Sequence, residues 1–268
     1  MGKRSELIFM FSIYETPFIF WYCVILAFIL GACIGSFVMC QAYRILDNEP
    51  WWKGRSHCDS CGHELGVLDL FPIVSYVVLK GRCRYCHARI PVTSTLVELG
   101  MGIVYAGYLM IHGTIDMQLV AVYGLFLVLL GLSVVDLKSY EIPDGYILFG
   151  IVCWLISCIG NMQAFFDGLL GGCVIAGSIL VLVLIMDKVL KKETMGGGDI
   201  KLFFLVSLFL GPFAGLLNVM VSCVIGLVFV VALKQNKIPF GPSISLSAVI
   251  CLCIGNSVVQ WYMGLLGM

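Results

Sequence analysis

The sequence predicts an all-α integral membrane protein of about eight transmembrane helices, with a small cytoplasmic domain between the first two. Three observations predict it. Apolar residue types make up 60% of the 268 residues and charged types only 12%. Mean hydropathy is +1.03, far above what a soluble domain of this length can carry on its surface. The basic residues also fall almost entirely on one side of the expected spans. The formal net charge of zero gives no electrostatic footprint for a nucleic-acid partner.

In chain order, the expected spans cover residues 18–40, 95–112, 117–135, 145–160, 168–186, 200–212, 214–233 and 243–262. Most approach the roughly 20 residues that cross a hydrocarbon core. The sixth is short and ends at Gly211-Pro212, so taken alone it reads as re-entrant. The opening MGKRSELIFMF resembles a signal peptide, but no small-residue cleavage site follows, and Glu15 and Pro17 interrupt before the first span. Arg44, Lys53, Arg55, Lys80, Arg82, Arg84 and Arg89 lie in the loop after span one. Lys138, Lys188, Lys191, Lys192, Lys201, Lys234 and Lys237 lie in later loops or at span ends on the same side. Of the 16 basic residues, only Lys3 and Arg4 fall on the other side. The positive-inside rule makes the favoured side the cytoplasm. Two parts follow: residues 1–94, one span plus a loop of about 50 residues, and residues 95–268, seven closely spaced spans.

Nine of the 13 cysteines sit in apolar stretches, where Cys behaves as a small hydrophobe. The other four are Cys58, Cys61, Cys83 and Cys86, two C-x2-C pairs separated by 21 residues. Four thiolates are what a closed tetrahedral Zn²⁺ site requires. A loop this small buries little core, so metal binding would fold it. The alternative, a pair of disulfides, conflicts with the reducing cytoplasm. Four sulfurs leave no open position, so the zinc is expected to be structural, with His57, His63 and His87 as solvated loop residues.

The third span ends GLSVVDLKSYEIPD, with Asp136 directly after the apolar run. The sixth is preceded by MGGGDIK, with Asp199 behind Gly196, Gly197 and Gly198 and ahead of Lys201. The topology puts both aspartates at the cytoplasmic boundary, where a carboxylate is costly and functional by default. Facing carboxylates can share a proton, one acting as base toward water while the other protonates a carbonyl oxygen. The glycines would let a peptide backbone approach Asp199 and let the loop adopt positive φ. Two plainer readings stand beside this one: Asp199 as the N-cap of span six, and a phosphate site at a Gly-rich helix start, which lacks the P-loop order. Asp144 reads as a cap opening span four, Glu141 as a solvated charge, and Asp187 with Lys188 as an interfacial ion pair.

These blocks resemble the bacterial prepilin peptidases, the type IV leader peptidases. The resemblance runs through Gly35-Ser36-Phe37 with Arg44, then Arg55-Ser56, both cysteine pairs, Asp69-Leu70, Pro72, Ser75-Tyr76, Gly81-Arg82-Cys83-Arg84 and Val97-Glu98-Leu99. It continues through Asp136 with Ile142-Pro143-Asp144, through Met195 to Leu202, and through Ile238-Pro239-Phe240-Gly241-Pro242. Met39 and Asp59 depart from residues common in the family, Asn and Pro, and neither is a ligand or a catalytic carboxylate.

The resemblance implies cleavage of the basic leader of type IV prepilins or pseudopilins at the cytoplasmic face of the bacterial inner membrane. It also implies N-methylation of the new amino terminus from S-adenosylmethionine. Asp136 and Asp199 are then the catalytic pair, and Gly196, Gly197, Gly198 and Lys201 the loop beside them. Glu98 is a candidate for methyl transfer, with an ion pair to a loop arginine as the alternative. No Rossmann fingerprint is present for the methyl donor. Two other readings are an intramembrane Gly-x-Gly-Asp protease that does not methylate, and a non-enzymatic scaffold or transporter with a zinc-ribbon anchor.

Overall fold

The computed structural model describes residues 11–50, 54–192, 194–233, 239–265 and 267. Lys3, Arg4, Lys53, Lys234 and Lys237 of the charge pattern, and Ile238 of the last motif block, lie outside the described residues. The chain forms two compact units, Met1–Leu119 and Val120–Met268. Six described helices are long and apolar enough to cross a membrane, so this is a multi-pass membrane protein of all-α type.

In the first unit, α1 (Pro17–Leu46) starts where the Thr16 side chain accepts the Ile19 N–H at 3.2 Å and Pro17 opens the first turn. The loop that follows carries a 3₁₀ turn (Val67–Asp69) and a short α2 (Val74–Val78). α3 (Val92–His112) starts after Pro91 and ends on Gly113 at φ 79°, a left-handed cap that favours glycine. α1 and α3 pack through small residues at the spacing of a Gly-x-x-x-Gly seam. A Cβ on Gly31 would sit 3.0 Å from the Gly102 Cα, and one on Gly35 would sit 3.2 Å from the Glu98 Cα. Two two-residue strands, β1 (Phe11–Ser12) and β2 (Thr114–Ile115), pair antiparallel. Asp116 then caps α4 (Met117–Ser139), accepting the Leu119 N–H at 2.8 Å.

The second unit holds most of α4 together with α5 (Asp144–Ser157), α6 (Met162–Leu190), α7 (Gly197–Leu233), α8 (Gly241–Ile250) and α9 (Asn256–Leu265), the last two joined by a π turn. α7 decides the span count. Thirty-seven straight residues would measure about 55 Å, nearly twice a hydrocarbon core. Gly211, at φ 72° and ψ −175°, breaks the run just before Pro212. A Cβ on Gly215 would lie 3.0 Å from Ser207 Oγ, eight residues back, whereas a straight helix would separate them by about 12 Å. The two legs therefore run antiparallel, and the expected sixth and seventh segments are the legs of one hairpin. With α5, at 14 residues shorter than a full span, the described helices match the expected eight segments.

Polar groups help to join this unit. Ser247 donates to Asn218 Oδ1 between α8 and the second leg of α7, and Ser245 donates to the Leu129 carbonyl of α4 at 3.2 Å. Both serines and Asn218 are buried, where such bonds hold neighbouring spans in register.

Candidate active site and metal centre

Asp136 sits one turn before the end of α4, and Asp199 is the third residue of α7. Both line one cleft of about 590 Å³, and they lie close enough for their charges to interact. The rest of the wall is mostly apolar, with Ile179, Leu182 and Val183 from α6 and with Phe203 and Phe240, whose ring centroids are 6.1 Å apart. Asp136 is only 4% exposed, and its Oδ2 accepts the Gly241 N–H at 2.8 Å. A Cβ on Gly241 would stand 2.6 Å from that oxygen, so only glycine lets the start of α8 come this close. Asp199 is not the N-cap. The helix begins two residues earlier, and the Asp199 N–H reaches back to the Gly196 carbonyl at 3.1 Å.

None of Gly196, Gly197 and Gly198 has positive φ, which corrects that expectation. The need at Gly198 is steric, because a Cβ there would lie 2.9 Å from the Ile142 Cβ. Ile142 thereby packs the linker before α5 against the first turn of α7. Lys201 bonds Asp144 at 2.6 Å across the same junction, so Asp144 is the ion-pair partner of Lys201. Both are exposed, and such a pair contributes roughly 0–1 kcal/mol. Asp144 is the first helical residue of α5 and not its cap, a correction: Pro143 holds the cap position and no side chain bonds there, while Glu141 is exposed, as expected. Asp187 departs from the expected pairing with Lys188. Its Oδ1 takes both the backbone N–H and the hydroxyl of Thr194, at 2.7 and 2.6 Å, closing the loop that leads to Met195 and Gly196.

In the first unit, the sulfurs of Cys58, Cys61, Cys83 and Cys86 lie within 4.8 Å of one another, and Cys58 and Cys86 are 3.8 Å apart. Sulfurs about 2.3 Å from a central ion make a tetrahedron with edges of about 3.8 Å, whereas a disulfide needs about 2.05 Å. All the cysteines are free, so the disulfide alternative falls and a cluster that could hold a metal ion stands. The two knuckles repeat one geometry. Gly62 N–H bonds Cys58 O and His87 N–H bonds Cys83 O, with Gly62 and His87 both at positive φ.

Backbone N–H groups of Ser60 and Cys61 pull the Cys58 thiol down to about 7. The Ala88 N–H favours the Cys86 thiolate, but lost hydration and the neighbouring sulfurs push that thiol up to about 11. Four crowded thiols need a cation before all can ionise. None of the three loop histidines joins the cluster. The His63 ring packs on Tyr85, which ties the two knuckles together.

Glu98 is buried at 7% exposure, and its Oε2 accepts the Ile73 N–H at 2.8 Å. The expected arginine pairing is absent among the described residues, where Arg55 pairs with Glu64 and Arg84 with Asp69. Ile73 has φ 62° and ψ −51°, and Val74 N–H bonds Pro72 O across it, a γ-turn of the rare positive-φ form. For a β-branched residue that conformation costs on the order of 1–3 kcal/mol, and the buried carboxylate holds it in place.

Fold and site define a polytopic membrane protein in which two carboxylates line one largely apolar cleft and four cysteines between the first two long helices could hold a metal ion. Residues 29–112 match the bacterial peptidase A24 N-terminal domain, and residues 123–231 match the type IV leader peptidase family. A prepilin leader peptidase/N-methyltransferase of Burkholderia pseudomallei is 30% identical over 266 residues, 86% of this chain and 85% of the relative. Proteins of the same name from Pseudomonas putida and Pseudomonas aeruginosa are 27% and 29% identical, over 92% and 94% of this chain and 96% of each relative. The chain belongs to the type IV leader peptidase family. No solved structure gave a significant match.

Sequence reasoning missed Gly241 as the group that positions Asp136, and the Gly31–Gly35 seam. The Gly-x-x-x-Gly spacing was a readable signal for the seam. Nothing local pointed from Gly241 to a residue 105 positions away.

Proposed function

We propose that this chain removes the leader peptide of type IV prepilins or pseudopilins and N-methylates the amino terminus it creates. The observation that carries the reading is the shared cleft of Asp136 and Asp199, two carboxylates brought by separate helices into one largely apolar cleft. A substrate with an apolar helix would lie along the α6 wall, entering from the bilayer past the exposed Leu182. Its scissile peptide would reach the carboxylates, which act as a pair. One takes a proton from water as it attacks the carbonyl carbon, and the other gives a proton to the carbonyl oxygen. The Gly241 N–H holds Asp136 in place for this step. Gly196, Gly197, Gly198 and Lys201 shape the loop beside it. The charge bias across the spans supports a bacterial inner-membrane location, with the cysteine loop and both aspartates on the cytoplasmic side.

The four cysteines would hold one structural Zn²⁺, leaving no coordination position for chemistry. On this reading residues 1–94 serve methyl transfer and residues 95–268 proteolysis. The donor would be S-adenosylmethionine. The strands described in the first unit have two residues each, so the donor would lie on the cysteine loop and not on a dinucleotide-binding sheet. Glu98 would support methyl transfer by holding the Ile73 turn.

The test is mass spectrometry of a prepilin incubated with the purified protein, with and without S-adenosylmethionine. Leader loss, plus one methyl group only when the donor is present, is expected. Asp136→Asn and Asp199→Asn should each abolish leader loss while the bound metal stays. A variant that still cleaves sinks the assignment of the pair.

A further inference from the structure

We propose that the segment from Leu70 to Val78, with the arginine pair beside it, is a lipid-docking surface that seats the cysteine domain on the anionic headgroups of its own membrane. α2 presents Val74, Val77 and Val78 outward, at 55%, 66% and 69% exposure. Their i, i+3, i+4 spacing makes them one helix face, and the exposed Leu70 and Phe71 extend the stripe. A soluble surface does not place its apolar helix face on the outside without a partner.

The depth of this face is set by covalent and hydrogen-bond geometry. Ile73, directly before α2, is bonded to Glu98, the seventh residue of α3. With 21 residues α3 measures about 31 Å, just enough to cross a hydrocarbon core. Glu98 lies about 9 Å in from its start, which brings Ile73 and α2 to the boundary between headgroups and acyl chains. Interfacial helices bury their apolar faces about 5–10 Å into that layer.

Charge names the occupant. Arg82 and Arg89 face each other across an antiparallel bridge, a like-charge pairing that disfavours the stem unless an anion lies over it. Lys80, Arg82 and Arg89 make no ion pair among the described residues, whereas Arg84 is taken by Asp69. These cations adjoin the apolar face, since Arg82 N–H bonds Leu79 O and the Tyr76 ring lies against Gly81. Arg89 stands three residues before α3 begins. An apolar face at acyl depth with a rim of unpaired cations matches phosphate headgroups over lipid tails.

The experiment places the photoreactive residue p-benzoylphenylalanine at Val77 in the full-length, metal-loaded protein. The protein is reconstituted in nanodiscs of phosphatidylcholine containing phosphatidylglycerol. Leu148, exposed on α5, serves as the lipid-facing control, and Glu64 in the first knuckle as the aqueous one. Lipid adducts at Val77 comparable to those at Leu148, and none at Glu64, are expected. The phosphatidylglycerol adduct at Val77 should fall at least about threefold in Arg82→Glu/Arg89→Glu, and likewise in the wild-type protein at high salt. The metal content of the double variant reports whether its domain still folds, and the salt series gives the same reading without a substitution. Adducts only to a second copy, adducts that move to prepilin when it is added, or no adduct would overturn the proposal. A lipid yield indifferent to both charge and salt would also overturn it.

Discussion

Gly241→Ala should cripple cleavage without unfolding the protein. The added Cβ would stand 2.6 Å from Asp136 Oδ2, 3.2 Å from its Cγ and 3.3 Å from its Cβ, so turning the carboxylate does not clear the contact. Restoring the ordinary 3.4 Å at Oδ2 moves it by about 0.8 Å, and a misplacement near 1 Å costs on the order of a hundredfold in rate. The same figure follows from the lost hydrogen bond. An N–H to a charged group contributes about 1.5–3 kcal/mol, or roughly 10- to 150-fold. Neither partner has an easy way to yield, because Asp136 is buried and α8 is held to α4 through Ser245 and Leu129. Alanine is also a better helix former than glycine by about 1 kcal/mol, so α8 itself does not weaken. The assay is the kinetics of prepilin cleavage by purified protein, with thermal unfolding as the check on folding. We expect kcat to fall about a hundredfold with KM little changed. A variant within about threefold of wild type would refute the view that Gly241 positions Asp136.

Three further outcomes follow from the geometry. If the four cysteines hold one zinc as proposed, Cys83→Ser should carry none by elemental analysis and should open residues 54–91 to protease, since three sulfurs no longer close the site. Glu98→Ala should lower N-methylation while leader cleavage continues, and Glu98→Gln, whose amide oxygen can still accept the Ile73 N–H, should recover most of it. If the Gln variant is as inactive as the Ala variant, Glu98 acts chemically and not by position. For Asp116, burial would raise the carboxyl, but the Leu119 N–H, the His112 ring and the Thr114 hydroxyl outweigh it and hold the group below its ordinary value of 3.8. A depressed folded value means stability that is fully present above 3.8 and lost as pH falls below it. Asp116→Ala should therefore lower Tm by roughly 2–4 °C near neutral pH through the lost cap, and the gap to wild type should narrow as pH falls below 3.8 and the carboxyl takes up its proton.

The sequence by itself determined what depends on composition and on neighbours a few residues apart. Hydropathy and charge bias decide that the chain lies in a membrane, because the cost of burying polar groups in hydrocarbon adds residue by residue. The C-x2-C spacing decides the two cysteine knuckles, since each closes within its own turn, from Cys58 to Gly62 and from Cys83 to His87. The ends of apolar runs decide where Asp136 and Asp199 sit along their helices.

Only the tertiary structure decided contacts between distant segments. The chain reverses at Gly211, making two expected spans the legs of one hairpin. Asp187 caps the Thr194 loop in preference to pairing with its neighbour Lys188. Glu98 turns inward to a strained Ile73 and away from the arginines. Gly241 meets Asp136 across 105 residues. Each of these is chosen by which helix faces pack together. Within a span, many rotations bury similar apolar area, so the pattern along one helix cannot select its partner. The selection comes from close-packed shape, where a missing Cβ at Gly198 or Gly241 admits one neighbour and excludes the alternatives.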